Sequence, residues 1–174
     1  MVFSRPSSQG GHFTEQGEDG FEYRQRRSKN IPFALIENPG SAGYFGSDVW
    51  LELGPIPRNK LEFKPVIEAP TSFALACRKD ETQRFQNLRE FKRGINIVTS
   101  YPNQARLSLG LMGVCISSIR ILGGSVEGGL VDYPEADMIY EMVETGNSIR
   151  DNDLAIIKAD LGRLVIGESW RKDC

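Results

Sequence analysis

The residues with the clearest chemical use lie in one segment, Ala136–Asn152, which reads ADMIYEMVETGNSIRDN. An apolar run typical of a β-strand ends with the acids Glu141 and Glu144, and a turn through Gly146 leads into a helix start. Glycine lets the backbone approach a ligand closely, and the N–H groups of a helix start can bind a phosphate together with neighbouring hydroxyls. Carboxylates beside them suit sugar hydroxyls or a magnesium ion. The segment therefore predicts a site for a phosphorylated sugar.

A second interpretation of this segment needs no ligand. Thr145 or Ser148 can simply cap the helix, because side-chain oxygens of these residue types accept hydrogen bonds from the first helical N–H groups. Two other segments, Ile95–Arg106 (INIVTSYPNQAR) and Leu122–Glu127 (LGGSVE), also carry small polar residues where a strand passes into a helix. Ligands of open α/β sheets bind at the carboxyl ends of strands, so this repetition favours an anionic ligand pocket.

The composition limits the classes of protein that the chain could be. It has 174 residues, with 21 Lys and Arg against 23 Asp and Glu and a formal net charge of −2. This balance argues against a protein that coats nucleic acid or an anionic membrane, since both tasks need a basic face. No apolar stretch approaches the ~18 residues of a membrane span, and the N-terminus lacks the apolar core of a secretory signal. We expect a cytoplasmic protein with neither a membrane nor a nucleic-acid partner.

Cysteine and histidine are too sparse for several kinds of site. The three cysteines, Cys77, Cys115 and Cys174, have no CxxC spacing, so we expect reduced thiols rather than zinc ligands or a disulfide framework. The only histidine, His12, lies in a glycine-rich polar segment, where a solvated loop residue is the simpler interpretation. These observations argue against a histidine nucleophile or a His–Cys pair.

The elements that must position the candidate site alternate between strands and short helices. The apolar patterns predict helices over Ile31–Glu37, Ser47–Leu53, Asp80–Phe91, Pro102–Leu109, Val126–Leu130 and Ser148–Asn152. They predict strands over Phe21–Arg24, Ser41–Phe45, Ile95–Thr99, Ile116–Leu122, Met138–Val143, Leu154–Ala159 and Arg163–Ile166, and two more strands, joined by a turn, within Phe63–Lys79. Strands separated by short helices indicate parallel βαβ units and an α/β class.

Five segments also resemble, in order and in approximate spacing, signatures of the ATP phosphoribosyltransferase family, whose members catalyse the first step of histidine biosynthesis. These segments are Arg27–Pro32 (RSKNIP), Gly43–Glu52 (GYFGSDVWLE), Val98–Arg106 (VTSYPNQAR), Gly124–Glu127 (GSVE) and Ala136–Asn152. The similarity extends over residues 27–166. It differs from the family's usual pattern at Ser41 and Glu141, where an aspartate is usual, and in a shorter N-terminal part.

The resemblance implies a fold and a reaction. The fold is a two-lobed α/β fold like that of type II periplasmic binding proteins, with a cleft between the lobes. We expect residues 1–74 and 160–174 in a first, N-terminally reduced lobe, and residues 75–159 in a second lobe that carries the phosphoribosyl-binding loop. The reaction is Mg²⁺-dependent transfer of 5-phosphoribosyl from phosphoribosyl pyrophosphate to N1 of ATP, or of a related purine nucleotide, with release of pyrophosphate. It needs no protein nucleophile.

The resemblance also implies roles for particular residues. It gives catalytic roles to Arg27, on the pyrophosphate side, and to Glu141, which is also the expected metal ligand. The residues expected to bind substrate are Ser100, Tyr101, Glu127, Asp137, Glu144, Thr145, Gly146, Asn147, Ser148 and Ile149.

Two hypotheses of different class follow from the resemblance. In the first, the chain is a compact phosphoribosyltransferase that acts as a homo-oligomer. With its end at Cys174 we expect no C-terminal regulatory domain; short forms of the family rely on a partner subunit that resembles histidyl-tRNA synthetase. In the second, the shortened first lobe leaves a catalytically weak or inactive homologue that binds phosphate esters in a regulatory role.

Overall fold

A computed structural model describes residues 14–16, 22–123 and 126–172 of the chain. Five residues of the segments discussed above, His12, Phe21, Gly124, Ser125 and Cys174, lie outside the described residues. None of the described helices has the length and apolar character that crossing a bilayer requires.

The described part of the chain contains nine strands and six α-helices. The strands are β1 (Thr14–Gln16), β2 (Glu22–Arg24), β3 (Ala42–Gly46), β4 (Leu61–Arg78), β5 (Ile95–Thr99), β6 (Ile116–Ile121), β7 (Met138–Val143), β8 (Leu154–Lys158) and β9 (Arg163–Arg171). The helices are α1 (Ile31–Glu37), α2 (Ser47–Glu52), α3 (Pro55–Asn59), α4 (Pro102–Leu111), α5 (Gly129–Asp132) and α6 (Asn147–Asp151). Three 3₁₀ segments are Ser28–Asn30, Lys79–Phe85 and Leu88–Glu90.

Seven of the strands form one mixed sheet, and β1 and β2 form a separate antiparallel pair. The order in the large sheet is β3-β9-β4-β7-β5-β6, and β8 pairs with the second half of β4. Only β5, β6 and β7 run parallel to one another, with helices α4 and α5 in the connections between them. The expected parallel βαβ arrangement holds for these three strands and is wrong for the rest of the sheet.

The strand β4 corrects the prediction of two strands joined by a turn, because it runs unbroken for 18 residues. Two prolines of this strand, Pro65 and Pro70, lie where the pairing with β9 shifts register. Proline lacks an N–H group and is tolerated in sheets at bulges, so these residues interrupt the ladder without turning the chain. One edge of β4 pairs first with β9 and then with β8, whereas the other edge pairs with β7 along the second half of β4.

The predicted helix Asp80–Phe91 is also wrong, since the chain forms two short 3₁₀ segments there. Its apolar residues Phe85, Leu88 and Phe91 recur at intervals of three, which is the repeat of a 3₁₀ helix rather than the 3.6 of an α-helix. Between the two segments, Asn87 leaves helical geometry with φ −122° and ψ 86°.

Three apolar clusters form the interior. The first packs α1, β3, α2 and the start of β4 together, through Leu35, Phe45, Val49, Leu53 and Leu61. The other two cover the two faces of the β4–β7–β5 part of the sheet. One includes Phe73, Leu75, Ile97, Ala105, Leu109, Met138 and Tyr140, and the other includes Ala76, Val98, Val126, Leu130, Ile139, Ile149 and Leu154. The strand β4 supplies residues to all three clusters.

Candidate functional site

The carboxyl ends of β5, β6 and β7 meet at one edge of the sheet. In the parallel ladders, Thr99 at the end of β5 lies opposite Ile121 of β6 and Tyr140 of β7. The residues that follow these strands therefore lie along the same edge, as the sequence predicts for a ligand pocket. The side chain of Ser100 ties two of the strand ends together, because its hydroxyl donates a 2.8 Å hydrogen bond to the carbonyl of Leu122.

The loop between β7 and α6 leaves backbone donors open. Gly146 has a left-handed φ of +71°, which favours glycine, and its place before α6 turns the chain toward the helix. The N–H of Asn147 donates to the hydroxyl of Thr145 at 3.4 Å. Among the described residues, the N–H groups of Ser148 and Ile149 have no hydrogen-bond acceptor. The Ile149 side chain is buried in the core, so only its backbone can contact a ligand.

Glu141 carries a carboxylate oxygen that is buried without a partner. Its Oε1 accepts a 2.9 Å hydrogen bond from the N–H of Met142, whereas Oε2 is buried and has no hydrogen bond in the described structure. Burial raises the pKa of Glu141 to about 7, with a further contribution from the negative charge of Glu127. The Met142 hydrogen bond and the charge of Lys29 lower the pKa in opposition. Near neutral pH the group is thus poised between its acid and its carboxylate forms.

The unpartnered Oε2 of Glu141 could bind either a sugar hydroxyl or a cation. A lone carboxylate can hold Mg²⁺ when phosphate oxygens of a substrate complete the coordination. Within the described ranges, no group of three or more His, Cys, Asp or Glu side chains is arranged to hold a metal ion. A magnesium ion here would therefore depend on Glu141 and on the substrate's own oxygens.

A cation and further acids lie near Tyr101, which follows β5. The ammonium of Lys29 lies 5.7 Å from the centre of the Tyr101 ring. Asp48, at the start of α2, is buried; burial raises its pKa, and the Val49 N–H and the Lys29 charge act against this rise. Burial raises the pKa of Tyr101, and the charges of Glu141, Asp48 and Glu52 raise it further. The charge of Lys29 thus acts on carboxylates from two parts of the chain.

A glycine makes room for Asp48. A Cβ atom at Gly46 would lie 2.1 Å from Oδ1 of Asp48 and 2.7 Å from Cδ1 of Leu164, which is closer than real Cβ contacts. Only glycine therefore lets the Asp48 side chain fold back over the end of β3. Sequence reasoning found neither Asp48 nor Lys29 as site residues. The strand–glycine–helix pattern of β3 and α2 is the signal that could have found Asp48.

Most of the predicted site residues lie along the edge formed by β5, β6 and β7. Ser100 and Tyr101 follow β5, Glu127 follows β6, and Glu141 and the loop residues Glu144, Thr145, Gly146, Asn147, Ser148 and Ile149 end or follow β7. Arg27 is exposed at the start of the first 3₁₀ segment, and its side chain makes no ion pair with a described residue. The nearby basic side chain whose charge lowers the pKa values of Asp48 and Glu141 is Lys29.

Asp137 corrects the sequence prediction, because it lies at the other end of β7. Its buried carboxylate pairs with Arg84 at 3.1 Å and accepts a 2.9 Å hydrogen bond from the N–H of Asn96. Arg93 lies 3.7 Å from the same carboxylate. These contacts join the amino ends of β5 and β7 to the first of the two 3₁₀ segments that follow β4. The sequence alone placed Asp137 near the loop because both belong to one motif, although six residues of extended strand separate them.

Comparison with known protein sequences identifies one family. A family model described as ATP phosphoribosyltransferase matches residues 27–164. An ATP phosphoribosyltransferase of Clostridium botulinum (strain ATCC 19397 / Type A) is 39% identical over 152 residues, which are 83% of this chain and 63% of the relative. One of Clostridium kluyveri (strain ATCC 8527) is 31% identical over 140 residues, 74% of this chain and 59% of the relative. The chain thus spans less than two thirds of these relatives' length.

Solved structures agree on the fold. The ATP phosphoribosyl transferase (HisG:HisZ) complex from Thermotoga maritima matches with a TM-score of 0.64 and 22% identity over 98% of this chain and 76% of that chain. The holo form of ArgBP from T. maritima matches with a TM-score of 0.52 and 12% identity over 92% of this chain and 78% of that chain. The expected α/β fold of the two-lobed periplasmic-binding-protein type is therefore confirmed. Because its family model covers residues 27–164 and a relative is 39% identical over 83% of the chain, the protein belongs to the ATP phosphoribosyltransferase family.

Proposed function

We propose that this chain transfers 5-phosphoribosyl from phosphoribosyl pyrophosphate to N1 of ATP, or of a related purine nucleotide, and releases pyrophosphate. The proposal rests on the presence of two features together: a buried oxygen of Glu141 that has no partner, and open N–H groups at Ser148 and Ile149. One feature suits a sugar hydroxyl or a cation, and the other suits a phosphate. A phosphorylated pentose has both groups.

In the proposed complex, the loop after β7 binds the 5-phosphate of the donor. The N–H groups of Ser148 and Ile149 and the hydroxyl of Thr145 donate hydrogen bonds to it, and Gly146 keeps the loop free of a Cβ atom. Glu141 and Glu144 accept hydrogen bonds from the ribose hydroxyls. These contacts hold the anomeric carbon of the ribose in one position, and orientation of this kind supplies much of the rate in a displacement reaction.

Charge governs the remaining part of the proposed mechanism. Mg²⁺ would be held by Glu141 and by oxygens of the donor, and when bound it neutralises charge on the departing pyrophosphate. Lys29 and Arg27 supply protein cations near the same leaving group. The carboxylates of Glu141 and Glu127 stabilise the positive charge that develops at the anomeric carbon. Above pH 7 Glu141 is ionised, which is the form that both a cation and this charge require.

We propose that the cleft lies between a lobe of residues 1–74 and 160–174 and a lobe of residues 75–159. The apolar clusters support such a division, because one contains residues 35–61 and the others contain residues 73–154. Phe73 packs with the clusters of the second lobe, so the chain would pass from the first lobe to the second at Ser72. There the pairing of β4 with β9 ends, and its pairing with β8 begins a few residues later.

We further propose that the protein acts in the cytoplasm as a homo-oligomer, alone or with a regulatory subunit. The composition supports the first statement, since its near-neutral charge and scattered thiols are those of a cytoplasmic enzyme. The likeness to a subunit of a two-component complex from T. maritima supports a search for such a subunit. Co-purification from the native host tests this assignment.

The direct test of the proposal is a turnover assay with phosphoribosyl pyrophosphate, ATP and Mg²⁺, read out as pyrophosphate release and as absorbance of the adduct. We expect turnover in the wild-type chain and in Glu37→Gln, whose exposed carboxylate lies at the end of α1, and a loss of at least about a hundredfold in Glu141→Gln. No turnover with ATP or with other purine nucleotides, with and without a partner subunit, refutes the proposal. Calorimetric binding of the donor in that case identifies the regulatory homologue instead.

A further inference from the structure

The amino end of α4 is bound by an acid from a distant part of the chain. Glu52 is the last residue of α2, and its Oε1 accepts a 2.8 Å hydrogen bond from the N–H of Gln104. Its Oε2 accepts a 3.1 Å hydrogen bond from the N–H of Asn103. A carboxylate is favoured at this place because the N–H groups of a helix start carry partial positive charge.

With these two bonds, every N–H group in the first turn of α4 has an acceptor. Pro102 has no N–H group, and the N–H of Ala105 donates to the carbonyl of Tyr101 at 2.9 Å. The first turn of α4 therefore has no N–H left for a substrate phosphate, although it follows the carboxyl end of β5. The loop after β7 differs, because Ser148 and Ile149 keep open N–H groups in the described structure. Because Glu52 occupies the N–H groups at the start of α4, the β7 loop is the place at this edge where open N–H groups can bind a phosphate.

The same contacts join two separate apolar cores. Val49 of α2 belongs to the cluster around α1 and β3, whereas Ala105 and Leu109 of α4 belong to a cluster on the β4–β7–β5 sheet. A third hydrogen bond, from Nδ2 of Asn103 to the carbonyl of Leu51, crosses the same boundary at 3.3 Å. The boundary is not closed by apolar packing alone, since a cavity of about 370 Å³ lined by Leu51, Asn103 and Leu107 and four other residues opens beside it.

The contact also sets the distance between two groups of the proposed cleft. Asp48 lies one helical turn before Glu52 on α2, and Tyr101 directly precedes α4. Lys29 lies over the Tyr101 ring, and its charge acts on Asp48. A movement of α4 away from α2 would therefore separate the side chains that Glu52 now holds on opposite walls.

We propose that Glu52 is a positioning residue that clamps α4 to α2, holds the two walls of the cleft in the substrate-binding arrangement and keeps substrate phosphate away from the start of α4. The role in substrate binding rests on the proposed function, whereas the clamp itself does not. A cleft that is already assembled binds more tightly, because the substrate does not have to select a rare closed population. Loss of the clamp therefore weakens binding more than it slows the chemical step.

The clamp is tested by hydrogen exchange at the backbone N–H groups of Asn103 and Gln104. Glu52→Gln offers one amide oxygen in place of two carboxylate oxygens, so we expect exchange to accelerate by about tenfold or more at both positions. Glu52→Asp keeps the charge on a shorter side chain and should give an intermediate rate. The exposed acid Glu37 provides the matched control Glu37→Gln, which should leave the rates unchanged. Unchanged exchange in Glu52→Gln overturns the proposal.

The positioning role is tested by steady-state kinetics on the same variants. We expect Glu52→Gln to raise the KM for phosphoribosyl pyrophosphate and for the nucleotide by about tenfold, with kcat changed by less than about threefold, and Glu52→Asp to recover part of the loss. KM values within twofold of wild type overturn the positioning role. A wild-type chain without turnover refutes the proposed function instead, and the exchange measurement still decides whether the clamp exists.

Discussion

The burial of Glu141 makes a quantitative prediction about stability and pH. The pKa of its carboxyl is about 7 in the folded chain, against 4.5 for an unburied glutamate. Each unit of such a difference corresponds to about 1.36 kcal/mol, so the fully ionised group costs the folded state about 3 kcal/mol. Glu141→Gln removes the ionisation while it keeps the size of the side chain and an oxygen for the Met142 N–H.

The sign of this effect follows from the direction of the shift. Because the folded pKa lies above the unfolded one, the unfolded chain loses its proton first as the pH rises. The contribution of Glu141 is therefore most favourable below pH 4.5, declines between pH 4.5 and 7, and is constant and unfavourable above that. Between pH 5 and pH 8 the wild-type chain should lose about 2.5 kcal/mol relative to Glu141→Gln.

The measurement is denaturant unfolding of both proteins at several pH values between 5 and 8, without substrate. Titration of all other groups is common to both proteins and cancels in the difference. Glu144→Gln serves as the control, because it removes an exposed carboxylate only three residues from Glu141. Parallel stability curves for the wild-type chain and Glu141→Gln would refute the burial of this carboxylate and the site built on it.

Three further predictions concern two glycines, Gly46 and Gly146, and the acid Asp137, which lies outside the proposed site. Gly46→Ala places a Cβ atom against Asp48 and should lower the free energy of unfolding by about 1 to 3 kcal/mol, whereas Gly54→Ala, with its nearest contact at 4.0 Å, should change it far less; thermal unfolding compares the two. Gly146→Ala forces alanine to a φ of +71° and should cost about 1 to 2 kcal/mol and weaken donor binding by calorimetry. Asp137→Ala removes the buried carboxylate that pairs with Arg84 and accepts from the Asn96 N–H, and should destabilise the fold by about 1 to 3 kcal/mol with the KM for the donor unchanged.

Each of these has a clear contrary result. Equal melting temperatures for the two alanine variants at positions 46 and 54 would contradict the crowding described at the end of β3. Undiminished donor affinity in Gly146→Ala would remove the β7 loop from the proposed phosphate site. A raised KM in a folded Asp137→Ala protein would return Asp137 to the substrate-binding residues.

Local sequence patterns were sufficient for several elements of the fold. The bounds of α1, β5 and β7 agree with the prediction residue for residue, because each is an apolar segment bounded by residues that stop it. The edge at which β5, β6 and β7 end was predictable for the same reason, since a parallel order places their carboxyl ends together.

Contacts between distant residues account for what the sequence did not reveal. The pairing partners of β4 lie up to about a hundred residues along the chain, so its continuity past Pro65 and Pro70 depends on ladders that no local pattern contains. Lys29 and Glu52 are ordinary surface residue types, and only the folded chain brings Lys29 to Tyr101 and Glu52 to the start of α4. Asp137 lies at the amino end of β7 and the loop at its carboxyl end, and a sequence motif does not show that a whole strand separates them.

The strand β4 makes the two halves of the molecule interdependent during folding. Its first residue, Leu61, completes one hydrophobic interior, and residues 73–77 complete the other two, so neither half has a finished interior when this strand is missing. An isolated fragment of either half would be left with an uncovered apolar surface. We therefore expect the chain to unfold as one cooperative unit, with a single calorimetric melting transition rather than two.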